Sequence, residues 1–319
     1  MEARKSINFA DLPRDTFEAR EFIVSRTGEW SLSESAKFIN EKYANRELLE
    51  HAVDFFSHDL IDAAPSDGDS LIKLGLFPWV EASSEIEKAL SLIMLSFYKN
   101  SYDSMRRALE LVVVGSFFIL ESVEREKARA WVKSNKSTPN FRRAIEKLVK
   151  CEPYSECESK FKFSEFILDI YYKLSDYVHV KGMEKSHRKL NPSSHHFSDV
   201  AALLFHGESC KYSLDLFIET VSAISLVCAL AVPRLLVGFE LDSKFGLNPP
   251  LSGFFTDSQA ERLYMLIPEQ FRAFIDELEK NDEGIRSVKD WFDNMPDISP
   301  EEFEQQCKEF EEMYNIDKK

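Results

Sequence analysis

The chain has 319 residues, 44% of them hydrophobic, and a formal net charge of −15. That balance supports a packed globular fold and excludes both a disordered chain and a protein that is basic throughout. Only 10 glycines and 12 prolines punctuate it, and Leu, Glu, Lys, Ala and Phe are abundant, which favours long helices over short strands joined by tight turns. The expected fold is all-α, a helical bundle core with additional N-terminal helices and an acidic C-terminal helical segment.

Residues 1–80 read as an N-terminal helical layer. Within it "SLSESAKFINEKY" sets Ser31 and Glu34 at capping-box spacing, the mark of a helix start, and "APSDGDS" reads as a loop. Residues 81–241 read as the central bundle, with helices expected at 84–99, 102–122, 140–150, 158–179 and 209–239. Five helices of this length suffice for a bundle. A loop at 242–255, rich in Pro, Gly and Ser, leads to an acidic helical appendage at 256–319. There Ser258 with Glu261, and Ser299 with Pro300 and Glu302, mark two more helix starts.

Charge is distributed unevenly along this plan. Residues 257–319 carry 18 acidic and 8 basic side chains, whereas residues 124–150 carry 9 basic and 3 acidic. The basic stretch suits a solvated helix face or a phosphate contact; the acidic one suits a protein partner.

In "SYDSMRRALELVVVGSFFIL", Glu110 lies one turn after Arg106 and directly before an apolar run, so its carboxylate is expected to be half-buried and to need a partner. Arg106 is the local candidate, and a group from a neighbouring helix the other. The stretch "DIYYKLSDYVHVKG" supplies such groups. Ile167, Ile170, Tyr171, Leu174 and Val178 form an apolar stripe, with Tyr172, Ser175 and His179 along its edge. One reading joins Arg106, Glu110, Tyr172, Ser175 and His179 in a polar network that fixes helix register. The other makes the edge a working site.

The pairing of "RRALEL" with a later helix ending "YYKLSDYVH" resembles a set of uncharacterised bacterial helical proteins and, more loosely, the HEPN superfamily of helical bundles. The resemblance spans residues 84–182. HEPN members include RNA-cleaving toxins and antiphage effectors whose signature is an Arg, a short spacer and a His near a helix end. Here Lys173 stands where that Arg would be, and Lys lacks the planar two-pronged phosphate contact. The literal Arg-to-His pattern occurs in "RKLNPSSH", 188–195, a loop-like segment with Pro192.

The resemblance implies a metal-independent ribonuclease of stress-response or antiphage type, acting as a homodimer and needing no cofactor. His179 would be the acid or base with Ser175 and Lys173 beside it, and Lys181, Lys185, Arg188 and Lys189 would hold phosphate. RNA or a nucleotide is then the expected ligand. A noncatalytic interaction or regulatory module, using the acidic C-terminal helices to bind a protein, is the alternative.

Five histidines fall between residues 179 and 206, and His206 to Cys210 is an i, i+4 spacing that could set both on one helix face, but no second tight pair completes a metal site. The five cysteines are dispersed without a CxxC, and the opening "MEARKSINFADLPRD" lacks an apolar core of signal length. Both features point to a reducing cytoplasm. The apolar run 220–233 is shorter than the roughly 20 residues a bilayer requires and reads as a buried helix.

Overall fold

The structure, a computed structural model, describes residues 29–63, 76–120, 125–178, 205–249 and 253–316. The protein is all-α. Among the described residues no strand forms, and extended pairing is confined to one isolated parallel bridge between Gly238 and Phe255.

Among the described residues the first helices are α1 (Glu29–Lys42) and α2 (Arg46–Asp54), the latter continuing through a π-helical turn, Phe55–Asp59. Ser31 lies inside α1 and is fully buried, so it does not stand at the helix end where its capping spacing suggested. Helix α3 (Leu76–Met94) begins earlier than expected and runs through position 80. Pro78 sits in its first turn, where a missing N–H breaks no helix bond, and Trp79 behind it is fully buried. The Trp79 indole donates to the Val112 carbonyl at 3.1 Å and so ties α3 to α4 (Tyr98–Ile119).

Helix α4 is the axis of the bundle. It lies against α3, α6 (Phe141–Leu148), α8 (Phe163–Val178) and α9 (Gly207–Ala231). Between them run α5 (Arg125–Val132) and α7 (Tyr154–Phe161). The single helix expected at 158–179 is thus two helices. The chain turns at Lys162, which takes a left-handed φ of 54°, and the Glu158 carboxylate accepts from the Ser164 amide at 2.7 Å to start α8.

Helix α9 carries the apolar run 220–233 but extends further towards the N-terminus, to 25 residues. It is long and apolar enough to cross a membrane by length and composition, yet most of it is buried inside the protein. Its hydroxyl residues tolerate that burial by bonding back one turn. Ser213 donates to Ser209 O at 2.7 Å, Thr220 to Leu216 O at 2.7 Å and Ser225 to Val221 O at 2.9 Å. Pro233 ends the helix.

The C-terminal third comprises α10 (Leu241–Phe245), α11 (Asp257–Leu266), α12 (Glu269–Asn281), α13 (Glu283–Asp293) and α14 (Pro300–Ile316). At α11 the capping box is formed by Thr256 and Gln259, two residues before the Ser258 and Glu261 expected to form it. At α14 the expected box is present: the Ser299 amide donates to Glu302 at 3.1 Å, and the Glu302 amide donates back to Ser299 Oγ at 3.2 Å. Gly238 is required by close packing, because a Cβ there would lie 2.5 Å from the Asp257 Cα. One buried apolar cluster runs from Tyr43 to Ile285, drawing on the N-terminal helices, the bundle and the C-terminal helices alike.

Candidate nucleic-acid interface

Helix α6 has a sharp division of faces. Phe141, Ala144, Ile145 and Leu148 are buried against the bundle, and Arg142, Arg143 and Lys147 are turned to solvent. Asn140 caps it by accepting from the Arg143 amide at 3.2 Å. Lys133 and Lys136 before the helix and Lys150 after it are also exposed. Among the described residues, Lys133, Lys136, Arg142, Arg143, Lys147 and Lys150 have no carboxylate partner.

Across from α6, two tyrosines of α8 face different ways. The Tyr171 ring stacks on Phe141, with centroids 4.2 Å apart and planes 20° from parallel. Its hydroxyl accepts from Arg106 at 3.0 Å, and the same guanidinium lies 5.0 Å from the ring centroid. Arg106 also donates to Glu110 at 3.2 Å, and the two side chains are 19% and 28% exposed, the half-burial expected of Glu110. Burial raises the Tyr171 hydroxyl above the usual phenol range, with Glu110 adding to the shift. Tyr172, 42% exposed, leaves this cluster: its hydroxyl accepts from Arg142, whose guanidinium lies 5.9 Å from the ring centroid. The network therefore holds Arg106 and Glu110 as expected, with Tyr171 in the place foreseen for Tyr172.

Lys173 is held in exposed ion pairs on the bundle surface, and Ser175 is bonded inside it. The Lys173 ammonium lies 3.0 Å from Asp169 on its own helix and 3.2 Å from Glu219 on α9. Ser175 is buried, and its hydroxyl donates to the Tyr171 carbonyl at 2.8 Å, so its bond stays within α8 and does not reach Arg106 or Glu110. His179, Lys181, Lys185, Arg188 and Lys189 lie outside the described residues.

His206 and Cys210 do not share a ligand face. His206 is the N-cap of α9, its Nδ1 3.0 Å from Ser209 Oγ, whereas Cys210 is buried and burial pushes its thiol up to about 12. Among the described residues no three His, Cys, Asp or Glu side chains gather as metal ligands would.

Arg142, Phe141 and Tyr171 are the members of this surface that sequence reasoning did not single out. Their signal was present in part. The basic excess of 124–150 was visible, and Tyr171 sat in the apolar stripe with a polar tip that had to find a partner. Comparison with known proteins adds no relative: no family model, no curated protein and no solved structure matches the chain.

Proposed function

We propose that this protein binds RNA, or another phosphate-bearing nucleotide ligand, through the exposed basic face of α6 and its flanks, with His179 as the group for cleavage. One observation carries the reading. In a chain of net charge −15, six exposed cations between Lys133 and Lys150 form no ion pair among the described residues, and Glu146 is the one acidic residue of that stretch. Elsewhere among the described residues Lys88, Arg107, Lys160, Lys211 and Lys244 are paired, and the unpaired Lys99, Lys280 and Lys289 do not fall in such a basic run. Leaving like charges together on an acidic protein costs self-repulsion, which a polyanion relieves. Tyr172 at the edge of this face offers a ring for base stacking. The reading carries with it a cytoplasmic location and, by the HEPN-like resemblance, a homodimer.

Binding of a fluorescent single-stranded RNA tests it. Arg143→Glu, Lys147→Glu and Lys150→Glu together should abolish binding at moderate salt, and each phosphate contact contributes about 0.7 to the salt slope. An RNA that fails to bind the unaltered protein at low salt ends the proposal.

A noncatalytic protein-interaction module is the second reading. It is favoured by α14, where Phe303 and Phe310, 42% and 46% exposed, lie two turns apart on an acidic helix. The burial of Ser175, with its hydroxyl bonded within α8, agrees with it.

A further inference from the structure

A cleft of about 960 Å³ opens where α4, α7, α9, α12 and α13 meet. Its volume is that of a small-molecule site. Ile119, Leu230, Val232, Leu278, Ile285 and Val288 make apolar walls. Around them stand Glu152, Glu156, Glu277, Asp282 and Glu283.

Three helices end here: α4 at Ile119, α9 at Ala231 and α12 at Asn281. Helix C-termini carry partial negative charge, so their last carbonyls add to the field of the carboxylates. The starts of α7 and α13 lie here too, but Glu156 and Glu283 occupy their first turns and offset them.

Two guanidinium groups near the cleft, one of them the lining Arg234, bond to backbone carbonyls. Arg234 donates to the Gly253 carbonyl at 2.7 Å, and Arg286 to the Asn281 carbonyl at 2.8 Å. Lys160 shows how the rim receives an ammonium: its Nζ sits 2.8 Å from Glu156, 2.9 Å from Glu277 and 5.7 Å from the Phe274 ring centroid. Glu152, Asp282 and Glu283 have no such cation among the described residues.

We infer that this cleft binds an aliphatic amine of the diamine or polyamine class. The methylene chain lies against the aliphatic walls and the ammonium groups reach Glu152, Asp282 and Glu283. An apolar floor alone would take any hydrophobe, and a carboxylate rim alone any cation. The combination selects a molecule that is both.

Calorimetric titration of the full-length protein with 1,5-diaminopentane, its longer homologues and spermidine tests this. Saturable one-to-one binding is expected, tightening about fourfold per added methylene until the cleft is spanned. The exposed pair Glu152→Gln with Glu283→Gln should weaken it about tenfold, the loss of charge-assisted hydrogen bonds. Glu301→Gln with Glu312→Gln, which removes the same charge from α14, should leave it unchanged. Equal weakening in both variants, no dependence on chain length, or the same heat from magnesium would reduce the effect to screening of an acidic protein and overturn the inference. Binding of a lysine-bearing peptide with no response to free amines would overturn it in favour of protein docking.

Discussion

Arg262 grips Asp59 with two parallel hydrogen bonds, Nε to Oδ2 at 2.8 Å and a terminal nitrogen to Oδ1 at 2.9 Å. The partners are 203 residues apart and join the π-helical turn after α2 to helix α11 of the acidic third. Gln259 adds a bond to the same carboxylate at 3.1 Å. Asp59 is fully buried, so its charge depends on these donors.

Removing one partner should therefore cost far more than removing both. Arg262→Ala leaves a buried carboxylate and is expected to destabilise the fold by about 3–5 kcal/mol. Asp59→Leu combined with Arg262→Met should recover much of that loss. Urea unfolding of the two single variants and the double variant measures the coupling. Purely additive losses would mean that the pair is not a unit.

The expected helix starts at Ser258 and Ser31 illustrate what sequence spacing resolves and what it leaves open. Capping-box spacing repeats: Thr256 with Gln259 and Ser258 with Glu261 satisfy nearly the same pattern two residues apart, and packing selects the first. Gln259 is chosen because its amide also reaches Asp59 and Asp62, a contact across about 200 residues that local spacing does not encode. Ser299 with Glu302 had no competing pattern and formed where expected. The all-α class was legible because periodicity and composition agree over many helices. The edge of α8 was legible only as a set of polar residues. Whether Tyr171 or Tyr172 reaches Arg106 depends on where α6 delivers Phe141, since stacking on that ring positions the Tyr171 hydroxyl.

Asp62 predicts a pH effect with a definite sign. It is half-buried and accepts from Gln259 at 2.9 Å. Burial raises its carboxyl above the ordinary value; Gln259 opposes the shift and Asp59 adds to it. A carboxyl whose folded pKa is raised holds its proton more tightly in the folded state. Ionising it as pH rises through that value lowers stability, and acidification restores it. Asp62→Asn should thus be more stable than the parent at neutral pH, by less than about 1 kcal/mol for a group this exposed. The difference should shrink as pH falls. Melting curves across the acid range check this, and a variant that gains stability only in acid would refute it.

The thiols should divide into two classes. Burial pushes Cys157 and Cys210 up to about 12 and raises Cys228 well above the usual thiol range, whereas Cys151 and Cys307 are partly exposed. Since the thiolate is the reactive form, a thiol reagent at mildly alkaline pH should modify Cys151 and Cys307 in the native protein and the other three only on unfolding. Peptide mapping after a short pulse reads this directly, and early modification of Cys228 would mean that α9 opens far more readily than its burial implies.

Binding and cleavage of RNA should separate between two sets of residues. Arg142, Arg143 and Lys147 act as phosphate contacts in the proposal, so their loss should weaken RNA binding and lower its salt dependence whether or not the RNA is cut. His179 is the proposed acid or base. His179→Ala should abolish cleavage while leaving both RNA affinity and thermal stability in place. Ser175 and Lys173 serve as the internal comparison. The Ser175 hydroxyl is satisfied by the Tyr171 carbonyl, so Ser175→Ala should cost less than about 1 kcal/mol and leave cleavage untouched. Lys173 bridges Asp169 and Glu219, and Lys173→Met should loosen the contact between α8 and α9 without altering RNA affinity. A His179→Ala protein that melts earlier by an amount equal to a lost buried hydrogen bond, with no change in RNA cleavage, would move His179 from chemistry into packing. The basic face of α6 would then stand as a binding surface alone.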